Sequence, residues 1–394
     1  MPPPGRCPHP AASALGTTDP AAPLDDLDHL RKPLAGARIV ALGEASHDTA
    51  ELTRLKHRTL RHLVERQGFR AIAWEDDWSL GTQLDSYITT GRGDLRALIA
   101  QMSDAWHSSE VEEVFRYLRR YNATHRNKVR FAGVEYFSTR HLAYDAVDAY
   151  VARHAPDQLA ALRAVLKPIV PHLTDMGAYV HWYWKDVADK APYIRNARAV
   201  LALLTGLRHS GRSYAVVLHH ARQIVSFYEA FSLEDNFAYR DARAAENLRW
   251  WHRFSGEKVV YWAAAAHTAN APHLQVSDPP VGFASAGSHL RRWYGDRYRT
   301  IGFTFDHGTA YGPIEMPPAR ATWFEHPLGE VPHAHFTLDL HARTSAAARD
   351  WLHAPLTTRG FPHVGPASEM SGGTLAEWHD VLIHTQQVTP IHPL

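Results

Sequence analysis

Short apolar segments recur along this chain, and each is followed by a glutamate or a histidine. Their β-branched and aromatic residues are typical of buried strands. Amphipathic, helix-like stretches separate them, and strands that alternate with helices build a parallel sheet covered by helices. The clearest cases are residues 39–42 before Glu44 and His47, residues 71–73 before Glu75, residues 129–134 before Glu135, and residues 259–262 before His267.

Two further segments, YRTIGFTFD near Thr304 and WHDVLIHT near Ile383, have the same β-prone composition. The pattern predicts an α/β fold with a mixed, largely parallel central sheet flanked by helices. Between about residues 140 and 255 the pattern changes to several long helices without a strand signal. We expect this helical insertion to form one wall of a deep cleft at the carboxyl edge of the sheet.

The chain has 394 residues, which is enough to bury a sizeable core. Its opening, MPPPGRCPHP, is rich in proline, and we expect residues 1–25 to form a disordered or loosely packed tail. Residues 26–394 are expected to form a single domain that contains the helical insertion. No internal repeat or other low-complexity segment interrupts that stretch.

Charge and composition narrow the classes of function. The 42 basic and 41 acidic residues give a net charge of +1, which offers no field for nucleic acid or an anionic membrane. The opening lacks the apolar region of a secretory signal, and no apolar run is long enough to cross a bilayer. Cys7 is the only cysteine, which excludes an intrachain disulfide. We therefore expect a cytoplasmic enzyme that acts on a small molecule.

The stretch RIVALGEASHDTAELTRLKHRTL places an acid and a histidine between a strand and a helix. Gly43 ends the apolar run, which indicates a sharp turn. Asp48 and Glu51 have the spacing of a capping box at the start of the helix that follows. Glu44 and His47 thus lie on a strand-to-helix loop, where α/β proteins usually place their chemistry.

Ligands of open parallel sheets bind outside the carboxyl ends of the strands. Glu44, His47, Glu75, Glu135 and His267 are all predicted to lie there. A histidine can remove a proton from water, and a carboxylate beside it can hold its tautomer and stabilise the imidazolium. These residues therefore suffice in principle to activate water without a metal or a cofactor.

Each candidate also has a purely structural interpretation. Glu44 and His47 could serve only a loop hydrogen bond, and Glu75 could belong to a solvated acidic loop. Glu135 could be an ion-pair partner at the sheet edge, and His267 could cap the next helix. Lys56, on the first helix, either faces solvent or points inward.

His219 and His220 are adjacent, so on a helix they diverge by about 100° and cannot both face one site. We expect them to pack in the core or to form part of a substrate-binding wall. Other kinds of site lack their motifs: there is no HExxH, no paired cysteine and no GxSxG, and the first strand ends in GEASH rather than GxGxxG.

Taken together, these segments resemble the erythromycin esterase family. The family's first block, a GE-x-x-H strand end followed by a helix and a strand ending in glutamate, is similar to ALGEASHDTAELTRLKHRTLRHLVERQGFRAIAWEDDW. Later blocks resemble FAGVEYFS, YRDARAAENLRWW with its RD-x-x-x-AEN pattern, GSHLRRWYGDRYRTIGFTF and WHDVLIHTQQVTPIHPL. The resemblance covers the chain from about Ala35 onward.

The resemblance implies a mixed α/β core with helical lobes and metal-independent hydrolysis of a macrolide lactone. It makes His47 the general base that activates water, Glu44 its neighbouring carboxylate and Glu75 a second carboxylate. It also makes His267 the second histidine of a later His-x-x-His pair. Lys56 stands where an arginine is usual, which keeps the charge but loses the bidentate fork.

One departure from the family pattern lies in WAAAAH. Where the family commonly has Trp-x-His-Asn-x-His, Ala264 replaces the first histidine and Ala265 replaces the asparagine. Losing one donor that holds an oxyanion commonly costs a factor of about 10² to 10³ in rate. Either His219 or His220 substitutes for it, or macrolide hydrolysis has been lost.

Three functions follow as hypotheses. The first is an esterase-like hydrolase of a bulky macrolide- or polyketide-like lactone, with Trp and Tyr side chains of the helical insertion lining the cleft. The second is a biosynthetic cyclase, lyase or acyl-transfer enzyme that uses His47 on a substrate hydroxyl. The third is a binding protein without catalysis, against which the combination of Glu44, His47 and Glu75 speaks.

Overall fold

The structure is a computed structural model that describes residues 12–137 and 140–394. Its strands are β1 (Ser13–Ala14), β2 (Ile39–Glu44), β3 (Ala71–Asp77), β4 (Arg130–Glu135), β5 (Val259–Ala264), β6 (Leu274–Ser277), β7 (Pro280–Phe283), β8 (Tyr298–Ala310), β9 (Ile314–Met316), β10 (His335–Asp339), β11 (Pro355–Arg359), β12 (Glu369–Thr374) and β13 (Val381–Val388). Its α-helices are α1 (Ala50–Gln67), α2 (Trp78–Thr90), α3 (Leu95–Ile99), α4 (Ser109–Thr124), α5 (His141–His154), α6 (Leu159–Leu166), α7 (Met176–His181), α8 (Ala191–Gly206), α9 (Arg212–Ala230), α10 (Phe237–Ser255), α11 (Ala265–Thr268), α12 (Ala286–Tyr294), α13 (Ala346–His353) and α14 (Leu375–Trp378).

Nine strands form the central sheet in the order β1-β10-β13-β8-β2-β5-β3-β4, with β9 paired to β8. The six strands from β13 to β4 are parallel to their neighbours, while β1, β9 and β10 pair antiparallel. The predicted mixed, largely parallel sheet flanked by helices is confirmed. A second sheet, with the antiparallel order β11-β12-β6-β7, was not predicted.

The central strands are buried because helices cover both faces of the sheet. Every residue of β2 and β3 is buried, which fits their continuous apolar sequence. Helix α1 packs the side chains of Leu52, Leu55, Leu60 and Leu63 into the main core. This arrangement places the carboxyl ends of β2, β3, β4 and β5 side by side.

Between β4 and β5, the regular structure of the described residues is entirely helical. Helices α5 to α9 surround an aromatic core of their own, in which the hydroxyl of Tyr228 lies 2.8 Å from that of Tyr179 and 3.2 Å from that of Tyr144. Helix α10 instead packs onto the central sheet. In the described part of the chain, none of the helices is long and apolar enough to cross a membrane.

The packed part of the chain begins closer to the N-terminus than expected. Ser13 and Ala14 pair with β10, and Leu15 and Leu24 are buried. Arg58 of α1 is fully buried and donates to the carbonyls of Thr17 and Pro23 at 2.7 Å. The predicted loose tail is therefore too long, because this buried guanidinium needs the backbone of residues 17–23 as acceptors. The part of that prediction covering residues 1–11 lies outside the described residues.

Candidate active site

The end of β2 delivers Glu44 to the sheet edge. Gly43 has no positive φ, so the sharp turn inferred from it is absent. A Cβ at Gly43 would collide with Oγ1 of Thr268 and contact Cα of Ala265, so a glycine is needed because α11 crosses here. The predicted capping box is also absent: Thr49 is the N-cap without a side-chain bond, and Glu51 accepts from Thr389 at 2.7 and 2.8 Å.

His47 lies in the loop after β2, held at one nitrogen. Its Nδ1 is 2.8 Å from Oε1 of Glu44, and its Nε2 is 3.9 Å from Oε2 of Glu75. The edge of Trp106 supports the imidazole, with ring centroids 4.7 Å apart. The side chain is 20% exposed. In the tautomer that carries its proton on Nδ1, this nitrogen donates a hydrogen bond to Glu44, and the lone pair of Nε2 is free.

Lys56 of α1 neutralises Glu44 from behind. Its Nζ bonds to Oε2 of Glu44, the oxygen that His47 does not use, and lies 4.3 Å from the ring centre of Trp262. Burial lowers the pKa of Lys56 to about 8, although the Glu44 carboxylate opposes that shift. Lys56 therefore points inward, and it touches Glu44 rather than the cavity.

Glu75 follows the apolar part of β3, and both of its carboxylate oxygens accept hydrogen bonds. Oε1 accepts from Nη2 of Arg240 at 2.6 Å, and Oε2 accepts from the backbone N–H of Ala264 at 2.7 Å. Burial acts to raise the pKa of Glu75, but His267, His47, Arg240 and the N–H of Ala264 outweigh it and lower the pKa to about 2. Glu75 is an ionised carboxylate in an ion-pair network, and the alternative of a solvated acidic loop is ruled out by its burial.

Arg240 and Asp241 of α10 complete the network around His267. Nδ1 of His267 lies 2.9 Å from Asp241, and its Nε2 lies 2.9 Å from Nη1 of Arg240 and 3.3 Å from Glu75. Nε2 therefore accepts from Arg240 when the ring is neutral and donates to Glu75 when it is charged. Burial and Arg240 act to lower the pKa of His267, but Asp241 and Glu75 outweigh them and raise it.

Glu135 lies behind Arg240, which donates to it through Nε at 3.2 Å. Burial raises the pKa of Glu135 to about 6, and its Oε2 has no hydrogen-bond partner in the described part of the chain. Because β4 is the edge strand, this arrangement matches the alternative interpretation of Glu135 as an ion-pair partner at the sheet edge. Glu135 positions Arg240 and does not line the cavity.

These groups border a cavity of about 290 Å³. Its apolar walls come from α10, the β8–β9 turn and the loop after β11. The lining residues are Glu44, Ala45, Ser46, His47, Glu75, Phe237, Arg240, Ala264, Ala266, His267, Pro279, Tyr311, Gly360, Phe361, Pro362, His363 and Met370. The helical segment contributes Phe237 and Arg240 here, rather than the tryptophan and tyrosine side chains that we expected.

The structure does not bring His219 or His220 to this cavity. His219 stacks on Trp250 with ring centroids 3.9 Å apart, and both histidines contact the ring of Trp78. Of the two alternatives for the donor lost at Ala264, replacement by His219 or His220 is therefore excluded, because α9 turns this face toward α2 and α10. Both histidines are more than nine-tenths buried, and only His220 of the two borders a different cavity.

Arg240, Asp241, Tyr311, Phe361 and His363 were missed as site residues. Arg240 and Asp241 stand in the RD-x-x-x-AEN segment, whose resemblance to a family block does not by itself indicate a role for either residue. The others lie in irregular segments that carry no periodic signal. In the described residues, no three His, Cys, Asp or Glu side chains are grouped to hold a metal ion.

We expect Glu75 to stabilise the protein most at neutral pH and progressively less in acid. Its pKa is depressed from 4.5 to about 2 in the folded state, so this stability is complete above about pH 5 and disappears as the pH falls through 2. The shift corresponds to on the order of 3 kcal/mol. The free energies of unfolding of the wild type and of Glu75→Gln, measured with urea, should therefore converge as the pH falls from 5 to 2. A difference that stays constant over that range would contradict the depressed pKa.

Comparisons with known proteins agree with this architecture. The erythromycin esterase family model matches residues 64–388. Erythromycin esterase type II from Escherichia coli is 23% identical over 71% of this chain and 72% of its own. The crystal structure of a succinoglycan biosynthesis protein is 26% identical, with a TM-score of 0.82 over 97% of this chain and 95% of the other. An erythromycin esterase mutant in its open conformation has the same fold, with 18% identity and a TM-score of 0.73 over 96% and 98% of the two chains. Because the family model spans most of its length, this chain belongs to the erythromycin esterase family.

Proposed function

We propose that this protein is a hydrolase in which His47 removes a proton from water that attacks the carbonyl of an ester or lactone. Family membership supports hydrolase-like activity on a small molecule. The observation that carries the mechanism is the geometry of His47: Nδ1 is bound to Glu44 at 2.8 Å, and the ring borders the cavity. The family match begins at residue 64, so the roles of Glu44 and His47 rest on this geometry and on the motif.

The gap between His47 and Glu75 suits a water molecule. Nε2 and Oε2 are 3.9 Å apart, too far for a direct hydrogen bond and close enough for one water to bridge both atoms. Such a water would donate one hydrogen to Nε2 and the other to Glu75, and its oxygen lone pair would face the cavity. Nε2 would take the proton as the oxygen attacks the carbonyl carbon.

The same walls supply positive charge for the oxyanion that forms on the carbonyl oxygen. Arg240 and His267 both line the cavity, and Asp241 and Glu75 favour the charged form of His267. Preorganised donors of this kind stabilise a tetrahedral intermediate in a site with little water. Both residues match the family pattern, so they would have to stabilise the oxyanion without the further side-chain donor that Ala264 lacks.

For the substrate, we propose a macrolide- or polyketide-like lactone. The cavity combines few polar groups with apolar side chains such as Phe237, Phe361 and Met370. At about 290 Å³ it is at the lower limit of pockets that enclose drug-sized ligands, so only the ester-bearing edge of a macrolide would enter. A cytoplasmic location belongs to the same proposal, as does the absence of a nucleic-acid or membrane partner.

Incubation with a panel of macrolides, followed by mass spectrometry, tests this function. We expect at least one compound to gain the mass of one water, and we expect EDTA to leave the rate unchanged because His47 needs no metal to act as a base. Activity that disappears with EDTA and returns with added Zn²⁺ would contradict the mechanism. Tight binding of a macrolide without any change of mass would favour a binding protein instead.

A biosynthetic enzyme is the second candidate, and Ala264 favours it. Ala264 lines the cavity at the position where the family commonly has histidine, so a larger or differently placed nucleophile could approach His47. The structural match to a succinoglycan biosynthesis protein supports this candidate, because a protein named for biosynthesis has the same fold. Here His47 would deprotonate a substrate hydroxyl, and an isomerised product of unchanged mass would identify a cyclase.

A further inference from the structure

A second cavity, of about 410 Å³, lies between α2, α9 and α10 beside the edge strand β4. Trp78, Trp251, Phe254 and Tyr150 provide its aromatic walls. None of its lining residues borders the cavity around His47. It is therefore a separate site, and the mechanism proposed above makes no use of it.

His220 lies in the wall of this second cavity, and one of its ring nitrogens is unsatisfied. The residue is 4% exposed, and within the described part of the chain its Nδ1 is buried without a hydrogen-bond partner. Burial lowers the pKa of His220 to about 4, so the ring is neutral at pH 7 and can donate or accept one hydrogen bond. A buried polar group without a partner is uncommon in native proteins, and a bound ligand would satisfy it.

The opposite end of the cavity is positive. Arg212, the first residue of α9, lines the cavity; it donates to the carbonyl of Phe254 at 3.2 Å and lies 4.1 Å from the ring centre of Phe254, but it forms no ion pair with any described residue. Gly211 caps the helix without a side-chain bond, so free backbone N–H groups and the helix dipole add to the charge of Arg212. The acid in the wall, Asp85, is neutralised by Arg130 at 2.6 Å. This end therefore favours an anionic group.

The spacing of these groups defines the length of the ligand. Arg212, Val216 and His220 recur every four residues on one face of α9, and all three line the cavity. Eight residues of α-helix separate the two ends by about 12 Å. A ligand that reaches both ends must therefore be elongated, and two fused rings with a polar group at each end have about this length.

We propose that this cavity binds an elongated, planar aromatic carboxylate that carries a hydrogen-bonding group at its far end. The carboxylate would bind Arg212 and the N-terminus of α9, the rings would pack between Trp78, Trp251 and Phe254, and the far polar group would bond to His220. The cavity therefore has a ligand of its own, independent of the hydrolytic site.

Calorimetric titration of the full chain with 6-hydroxy-2-naphthoate tests the proposal. We expect saturable binding at one site per chain. Removing the hydroxyl, as in 2-naphthoate, should weaken binding roughly three- to tenfold, and removing the carboxylate, as in 2-naphthol, by about tenfold or more. Absence of saturable binding, or equal affinity for all three compounds, would overturn the proposal.

Two variants assign the two ends of the ligand, and two more serve as controls. Arg212→Gln, at an exposed position, should weaken the binding of both carboxylates and leave the binding of 2-naphthol unchanged. Arg222→Gln, exposed on the same helix but outside the cavity, should leave the binding of all three compounds unchanged. His220→Phe keeps the ring and should abolish only the preference for the hydroxyl. If His220→Phe does not fold, Arg212→Gln still decides, because unchanged carboxylate binding in it overturns the proposal. His47→Ala should bind the probe normally, and a loss there would place the probe in the hydrolytic cavity and refute the second site.

Discussion

Replacement of His47 by alanine is expected to lower kcat/KM by a factor of about 10² to 10⁴ without unfolding the protein. A positioned general base contributes about that much to a hydrolytic rate, and no other imidazole of the site has a nitrogen held by Glu44. The side chain is partly exposed and borders a cavity, so its loss leaves the core packed. The rate on a macrolide that gains water, together with thermal unfolding of both proteins, measures the two effects.

His363→Ala is the matched control for this variant. His363 lines the same cavity and is exposed, but it forms no hydrogen bond with any described residue. Its removal should change the rate only modestly, through lost contact with the substrate. A folded His47→Ala variant with wild-type activity would remove His47 from the mechanism.

Replacement of Lys56 by methionine is expected to cost about 3 to 5 kcal/mol of folding free energy, because it leaves the Glu44 carboxylate buried without its cation. Both side chains are almost fully buried, at 1% and 3% exposure, so water can solvate the remaining charge only poorly. Activity should also fall, since the Glu44 carboxylate that bonds to His47 is then no longer held in place by Lys56. Urea denaturation monitored by tryptophan fluorescence measures the loss of stability.

Arg54→Met, on the same helix, is the control for this variant, because it removes an exposed ion pair instead of a buried one. Arg54 pairs with Glu110 at 3.0 Å but is 35% exposed, and such pairs contribute at most about 1 kcal/mol. Lys56→Arg keeps the positive charge and should recover part of the stability that methionine removes. A Lys56→Met variant as stable as Arg54→Met would show that Glu44 does not depend on this lysine.

The parallel part of the fold could be predicted because its strands are buried on both faces. Segments such as residues 39–44 and 71–77 therefore read as continuous apolar runs, which periodicity alone identifies. The strand-end residues Glu44, Glu75 and His267 could be predicted for the same reason, since the carboxyl ends of parallel strands meet at one edge.

The antiparallel strands gave a weaker signal. The strands β1 and β9 have only two and three residues, and the small sheet contains Pro280, Gly282 and two adjacent glycines, Gly372 and Gly373. Glycine and proline are depleted in strands, so local composition argues against these elements. Their pairing depends on contacts between segments that lie far apart in the chain, such as Ser13 with Thr337 and Val276 with Met370.

The role of Arg240 depended on tertiary structure for a different reason. On a helix its side chain reads as one more surface charge among the basic residues of α10. Only the packing of α10 across β3, β4 and α11 brings it within 3.3 Å of Glu75, Glu135 and His267. The alternative that placed His219 or His220 at the cavity around His47 failed for the same reason, because the sequence does not specify which helix their face contacts.

The protonation of His47 in the resting protein tests the central claim most directly. Nitrogen-15 NMR of histidine-labelled protein, with His47→Ala to assign the ring, reports which nitrogen carries the proton of the neutral imidazole. We expect the proton on Nδ1, bonded to Glu44, and a bare Nε2 facing the cavity. A neutral ring protonated on Nε2 would leave no base to accept a proton from water and would contradict the mechanism.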